Sequence, residues 1–184
     1  AGGMATEVSD LPLAVDMDGT LILSDMSRIS IRKVLFRKPW LIPSVIFKEM
    51  TGKRAGWKRD LGRILVFNPS ELEYHEGFLE WLTGEHSRGR VIILATASDR
   101  IVAEQVAAHV GMFSDVMASD NDYNLRDRKK AEALVARYGE GGFGYAGNSH
   151  HDLAVWEKAA QVIVVNPDSG VLDRVGNSVD IVFE

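Results

Sequence analysis

Residues 90–96 read RVIILAT, the most apolar run in the chain. A run without polar alternation cannot keep one face in water, so it predicts a central strand covered on both sides. Shorter apolar runs lie at 11–17 (LPLAVDM), 115–118 (DVMA), 143–146 (FGYA) and 162–165 (VIVV). Helical patterns separate them. Ser70, followed by Glu71 and Glu73 and then by Phe78, Leu79, Trp81 and Leu82, predicts a helix capped at Ser70. Ser98 and Asp99 predict the opening of a helix that runs to His109 and is closed by Gly111. Further helices are predicted over 129–138, ending at Gly139, and over 151–160. Strands alternating with helices of this size predict a parallel sheet with crossovers. Such sheets bind ligands at the carboxyl ends of their strands, where the strand order reverses.

Composition narrows the function classes. A chain of 184 residues makes one domain, or one domain with a small insertion. Hydrophobic residues at 46% and charged residues at 26% exclude a disordered chain. A net charge of −5 argues against a nucleic-acid partner. The chain has no cysteine, so disulfides, thiolate zinc sites and cysteine nucleophiles are excluded, and a reducing compartment fits. No run of about 18 apolar residues is present to span a bilayer. Ala1-Gly2-Gly3-Met4 reads as an added leader before a native Met, and residues 5–10 carry Glu7 and Asp10 where a signal peptide needs basic and apolar residues. The expected location is the cytoplasm, at most at the inner face of the membrane.

Charge is uneven along the chain. Residues 26–64 hold eleven basic residues against two acidic ones, inside a chain that is acidic overall. The same segment carries Phe36, Trp40, Leu41, Ile42, Phe47 and Trp57. Its pattern over 26–38 and 44–64 is helical, broken by Pro39, Pro43, Gly52 and Gly56. Basic and apolar residues together suit an anionic ligand with an apolar part, or a membrane face. A solvated hairpin packed on the main domain is the plainer alternative.

Four strand-end positions make one chemical site. Asp16 and Asp18 leave the first strand two residues apart in DMDGTL. Two neighbouring carboxylates call for a cation between them, and a hard cation such as Mg²⁺ takes oxygen ligands. Gly19 allows a sharp turn after them. Thr96, in LATAS, offers a hydroxyl and neighbouring amides to a phosphate oxygen, or simply caps its strand. Lys130, with Lys129 as the alternative, offers a cation. Asn148 and Asp152, in GNSHHD, can hold a metal directly or through water. His150 and His151 diverge by about 100° on a helix, so exposure is expected rather than shared metal binding. Trp81 and Trp156 read as packing residues. The acidic, Asn-rich loop 119–127 borders the site or is plain surface.

DMDGTL, the threonine of LATAS, the downstream lysine and GNSHHD, in that order, resemble the four motifs of the haloacid dehalogenase (HAD) superfamily. The stretches LATASDRIVAEQVAAHVGMFSDVMASD and YAGNSHHDLAVW resemble more narrowly the cytosolic HAD domain fused to UbiA-family polyprenyltransferases. The resemblance implies a Rossmann-like three-layer α/β sandwich with parallel strand order 5-4-1-2-3. It also implies a small helical cap inserted after the first strand. The domain division is then a leader over 1–4, a core over 5–22 and 69–184, and a cap over 23–68.

The implied activity is a Mg²⁺-dependent phosphatase working through an aspartyl-phosphate. By resemblance Asp16 is the nucleophile and Asp18 the general acid and base. Thr96, Ala97 and Lys130 bind the phosphoryl group, and Asp16, Asp18, Asn148 and Asp152 hold Mg²⁺. Many family phosphatases carry Asp where this chain has Asn148, which weakens the cation's ligand charge. Caps choose the substrate, so Arg32, Lys33 and Arg37 in the basic segment are expected to meet a small or prenyl-linked phosphate ester. The alternative is a non-catalytic module that binds a phosphorylated ligand, or docks a membrane prenyltransferase through the basic segment.

Overall fold

The computed structural model describes residues 8–23, 69, 72–119, 125 and 127–184. The cap expected over 23–68, with Arg32, Lys33 and Arg37, lies outside the described residues apart from Leu23, as does most of loop 119–127. Six strands form one parallel sheet: β1 (Leu13–Val15), β2 (Ile92–Asp99), β3 (Asp115–Ser119), β4 (Gly144–Gly147), β5 (Gln161–Val165) and β6 (Ile181–Phe183). Their order is β3-β2-β1-β4-β5-β6. This is the order that the family resemblance implies, with β6 added at one edge.

Alternation along the strands builds two cores. Leu13, Val15, Ile92, Leu94, Ile163 and Val165 face one side of the sheet. There they meet Phe78 and Leu82 of α1 (Glu76–Ser87) and Val102, Ala103 and Val106 of α2 (Arg100–Val110). Ala14, Ile93, Tyr145, Val162 and Val164 face the other side. Their partners are Ala131 and Leu134 of α3 (Asp127–Tyr138), Val155 and Trp156 of α4 (Leu153–Trp156), and Val171 of α5 (Val171–Val175). Helices on both faces make the fold a three-layer α/β sandwich. Truncating a fully buried strand residue such as Leu94 to Ala would cost about 2–5 kcal/mol.

Several local expectations change. The helix expected from Ser70 begins at Glu76, and His75 caps it, its Nδ1 accepting from the Phe78 amide at 3.0 Å. The strand expected to stop at Thr96 continues to Asp99, and Asp99 alone caps α2, accepting from the Ile101 amide at 2.9 Å. Gly111 closes that helix in a left-handed conformation, φ 75°. The helix expected over 151–160 is a 3₁₀ turn, His150–Asp152, followed by the short α4. It stops because the chain must re-enter the sheet, where the Ala160 amide donates to the Phe143 carbonyl at 2.8 Å. No described helix is long and apolar enough to cross a membrane.

Candidate functional site

The strand order reverses between β1 and β4, which are neighbours in the sheet but are separated by β2 and β3 in the chain. The loops leaving these two strands therefore diverge and open a crevice between them. Asp16 is the first residue after β1, and its amide donates to the Ala146 carbonyl at 2.9 Å. Met17 is fully buried and anchors the segment between the two acids. The chain then turns sharply: the Ile22 amide donates to the Met17 carbonyl at 3.0 Å and the Gly19 amide to the Ile22 carbonyl at 2.7 Å. Gly19 sits at φ +80°, and a Cβ there would lie 2.3 Å from Asn148 Nδ2. This position thus needs glycine twice, for its backbone and for the approach of Asn148.

Asn148 and Asp152 follow β4. The Asp152 Oδ2 accepts from the amides of Asn148 at 2.9 Å and Ser149 at 3.0 Å. Its Oδ1 accepts from the Tyr145 hydroxyl at 2.5 Å. Gly147 admits this carboxylate, since a Cβ at that position would lie 2.5 Å from Asp152 Cγ. Thr20 donates to Asn148 Oδ1 at 3.5 Å and closes the gap between the two loops.

Of the two lysines, Lys130 is the one that reaches Asp16. Its Nζ lies 3.0 Å from Asp16 Oδ1 and 3.1 Å from the Tyr145 hydroxyl, while Lys129 is exposed. Thr96 is fully buried, and its Oγ1 accepts from the Ser98 amide at 3.0 Å, so it does cap a turn. The pairing of β2 with β3 slips between Ala95 and Asp99. That irregularity, with half-buried Ala97 inside it, takes Thr96 to Ser98 out of the ladder. Ser98 donates to Asp18 Oδ2 at 2.5 Å.

Electrostatics set this end of the sheet apart. Burial pushes the Asp16 carboxyl from 3.8 up to about 7; Lys130 opposes the rise, and the charges of Asp152 and Asp18 add to it. Burial pulls the Lys130 ammonium down, but Asp16 and the other acids outweigh it, and its net shift is upward. Three carboxylates thus bear on one ammonium. Among the described residues the cluster is short of positive charge.

Hydrogen bonds link Asp16, Lys130, Tyr145, Asp152 and Asn148, while Asp18, Ser98 and Thr96 form a second set, and the charge of Asp18 bears on both Asp16 and Lys130. Two members escape a motif reading. Tyr145 bridges Lys130 to Asp152, and Ser98 holds Asp18. Tyr145 looks like an apolar strand residue in sequence, and only the polar end of its ring hints at a second role. His150 and His151 are both exposed, and His150 Nε2 contacts the Ser169 carbonyl at 3.1 Å. Trp156 packs against Tyr145 and Trp81 stacks on Phe78. Among the described residues, no group of three or more His, Asp or Glu side chains is arranged to hold a metal ion.

The family model for haloacid dehalogenase-like hydrolases matches residues 41–157, more than half of the chain. The match begins beyond Asp16 and Asp18 and takes in Thr96, Lys130, Asn148 and Asp152. The uncharacterized protein y4nM of Sinorhizobium fredii (strain NBRC 101917 / NGR234) is 34% identical over 155 residues, 84% of this chain and 30% of that protein. The chain therefore spans less than a third of the length of that relative. A protein of unknown function from Bordetella pertussis Tohama I shares the fold with a TM-score of 0.67 at 17% identity, over 95% of this chain and 98% of that one. A phospho-aspartyl intermediate analogue of phosphoserine phosphatase gives 0.61 at 16% identity, over 95% and 93%. At these identities the likeness to solved structures is one of fold. The sequence match and the crowding of acids at the switch point lead to the same place: the chain belongs to the haloacid dehalogenase-like hydrolase family.

Proposed function

We propose that this hydrolase is a Mg²⁺-dependent phosphatase that works through an aspartyl-phosphate on Asp16. The observation that carries the reading is that Asp16, Asp18 and Asp152 all bear on the Lys130 ammonium, the one cation among the described residues to contact Asp16. Asp16, the Asp18 carbonyl, Asn148 and Asp152 would hold the cation. Gly19 and Gly147 let the Asn148 and Asp152 side chains lie against the backbone there. The bound ion would neutralise the carboxylates and the charge of the phosphoryl oxygens.

The chain's own groups account for the remaining steps. Lys130 holds Asp16 Oδ1, so Oδ2 attacks phosphorus as the ester P–O bond breaks. Asp18, oriented by Ser98, gives its proton to the leaving oxygen. The same carboxylate then takes a proton from water as that water attacks phosphorus and releases Asp16. Lys130 and the Thr96 hydroxyl bind the transferring group. Lys130 has three N–H donors and uses two, on Asp16 and Tyr145, among the described residues.

The substrate is a small or prenyl-linked phosphate ester, met by Arg32, Lys33 and Arg37 of a helical cap over 23–68. The sequence's basic and aromatic segment supports this. So does the way the chain departs and returns: Leu23 donates to the Glu73 carbonyl at 2.8 Å, and Ile22 pairs with Tyr74. The match to a much longer relative supports a domain that works within a larger protein, and the motif resemblance makes that protein one of the UbiA prenyltransferase kind, at the cytoplasmic membrane face. Asn148 favours a second reading, a module that binds a phosphorylated ligand without turning it over, because a neutral amide stands among the cation's ligands.

Turnover of p-nitrophenyl phosphate or acetyl phosphate with Mg²⁺ decides between them. Wild type should hydrolyse both, and Asp16→Asn should lower the rate by on the order of 10³-fold or more. Equal rates for the two proteins would sink the phosphatase. A lipid phosphate should outrun a matched sugar phosphate, and neutralising Arg32, Lys33 and Arg37 should remove the difference.

A further inference from the structure

We infer that Tyr145 is a positioning residue: its hydroxyl stands between Lys130 and Asp152 and keeps them from closing into a direct ion pair. The inference rests on the Mg²⁺ phosphatase reading for its functional meaning. Tyr145 is fully buried on β4. Its ring packs edge-on against Trp156, centroids 6.3 Å apart, and the Trp156 indole donates to its carbonyl at 3.2 Å. The side chain is therefore held by apolar contacts that do not depend on its oxygen. The oxygen accepts from the Lys130 ammonium at 3.1 Å and donates to Asp152 Oδ1 at 2.5 Å.

An ammonium and a carboxylate this close in a buried site attract strongly. Among the described residues Lys130 nevertheless pairs with Asp16 and not with Asp152. The hydroxyl explains why: it can accept from one and donate to the other at the same time. Lys130 stays beside the attacking carboxylate. Asp152 stays fixed by the amides of Asn148 and Ser149 on one oxygen and by Tyr145 on the other. Without the hydroxyl, Oδ1 loses its donor and Lys130 loses an acceptor. The shortest repair is for the two to meet. That contact would spend the charge of Asp152 on the lysine and draw the ammonium away from Asp16.

Tyr145→Phe keeps the ring and removes only the oxygen. By calorimetric titration with MgCl₂, the variant should bind Mg²⁺ at least tenfold more weakly than wild type. In EDTA it should melt no lower than wild type, because the new ion pair replaces the lost hydrogen bonds. On a Lys130→Met background the same substitution should leave Mg²⁺ affinity within about twofold, since no ammonium remains to capture Asp152. Unchanged Mg²⁺ affinity in Tyr145→Phe would overturn the inference. So would a variant that unfolds or melts several degrees lower in EDTA, or an equal loss of affinity on the Lys130→Met background. Wild type that binds Mg²⁺ without hydrolysing phosphate esters sinks the phosphatase and leaves the spacer role intact. If wild type binds no Mg²⁺, the crystal structure of metal-free Tyr145→Phe decides: Lys130 against Asp152 supports the role, and Lys130 unmoved beside Asp16 overturns it.

Discussion

The sheet carries a buried ionic network at each end, and the two are built on opposite principles. At the amino end, the Arg90 guanidinium donates to the Leu11 carbonyl at 2.8 Å, to Glu85 Oε2 at 3.1 Å and to Gln161 Oε1 at 2.8 Å. Arg88 also contacts Glu85. Two arginines bear on one glutamate there, and the planar fork of Arg90 ties together segments leading into β1, β2 and β5. At the carboxyl end, three carboxylates bear on one lysine. The first network is satisfied by the chain alone and reads as structure. In the second, among the described residues, carboxylates outnumber the cation, and the proposed Mg²⁺ site rests on that imbalance.

The contrast can be broken most readily at the amino end. Arg90→Ala would take the donor from Glu85 Oε2, the Leu11 carbonyl and Gln161 Oε1 in a buried setting and should destabilise the chain by about 3 kcal/mol in urea unfolding. Hydrolysis per folded molecule should stay at the wild-type level. A change in turnover without a change in stability would mean that the two ends are not independent.

At the carboxyl end, Mg²⁺ at one hundred times its dissociation constant should stabilise the fold by roughly 2.7 kcal/mol, which is about 5–10 °C in melting temperature. Asp16→Asn should lose most of that rise. A Mg²⁺ response equal in wild type and Asp16→Asn would place the ion elsewhere.

A third test sharpens the comparison through pH. Burial holds the Asp16 carboxyl up at about 7 in the metal-free chain. The folded state therefore binds this proton more tightly than the unfolded state. Its contribution is fully present below pH 3.8 and fades as pH rises through about 7. In EDTA the wild-type melting temperature should fall across that window relative to Asp16→Asn, and parallel curves would contradict the charge deficit.

Much of this was legible in the residues because the signals were redundant. Runs buried on both faces, such as RVIILAT, leave few alternatives to a helix-covered parallel sheet, and acids at a strand end have few purposes. Shorter or compensated signals were not legible. β6 has three residues and half-exposed flanks, too few to show a period. His75 caps α1 through a ring nitrogen, outside the usual Ser, Thr, Asp and Asn set. Ser98 looked like part of a helix cap, and its contact with Asp18 depends on a register slip that no local pattern encodes.

Local chemistry along the chain therefore determined the layer architecture and which acids leave the strands, while the strand order was implied only by the family resemblance of its motifs. Tertiary structure alone decided that Lys130 rather than Lys129 reaches Asp16, that Asp152 lies tied to Tyr145, and that Ser98 grips Asp18. The physical reason is reach. Periodicity and capping act within a few residues, whereas the charge balance of a crevice depends on groups over a hundred residues apart in the chain. Packing alone brings those groups within hydrogen-bond distance, and burial sets what their charges are worth.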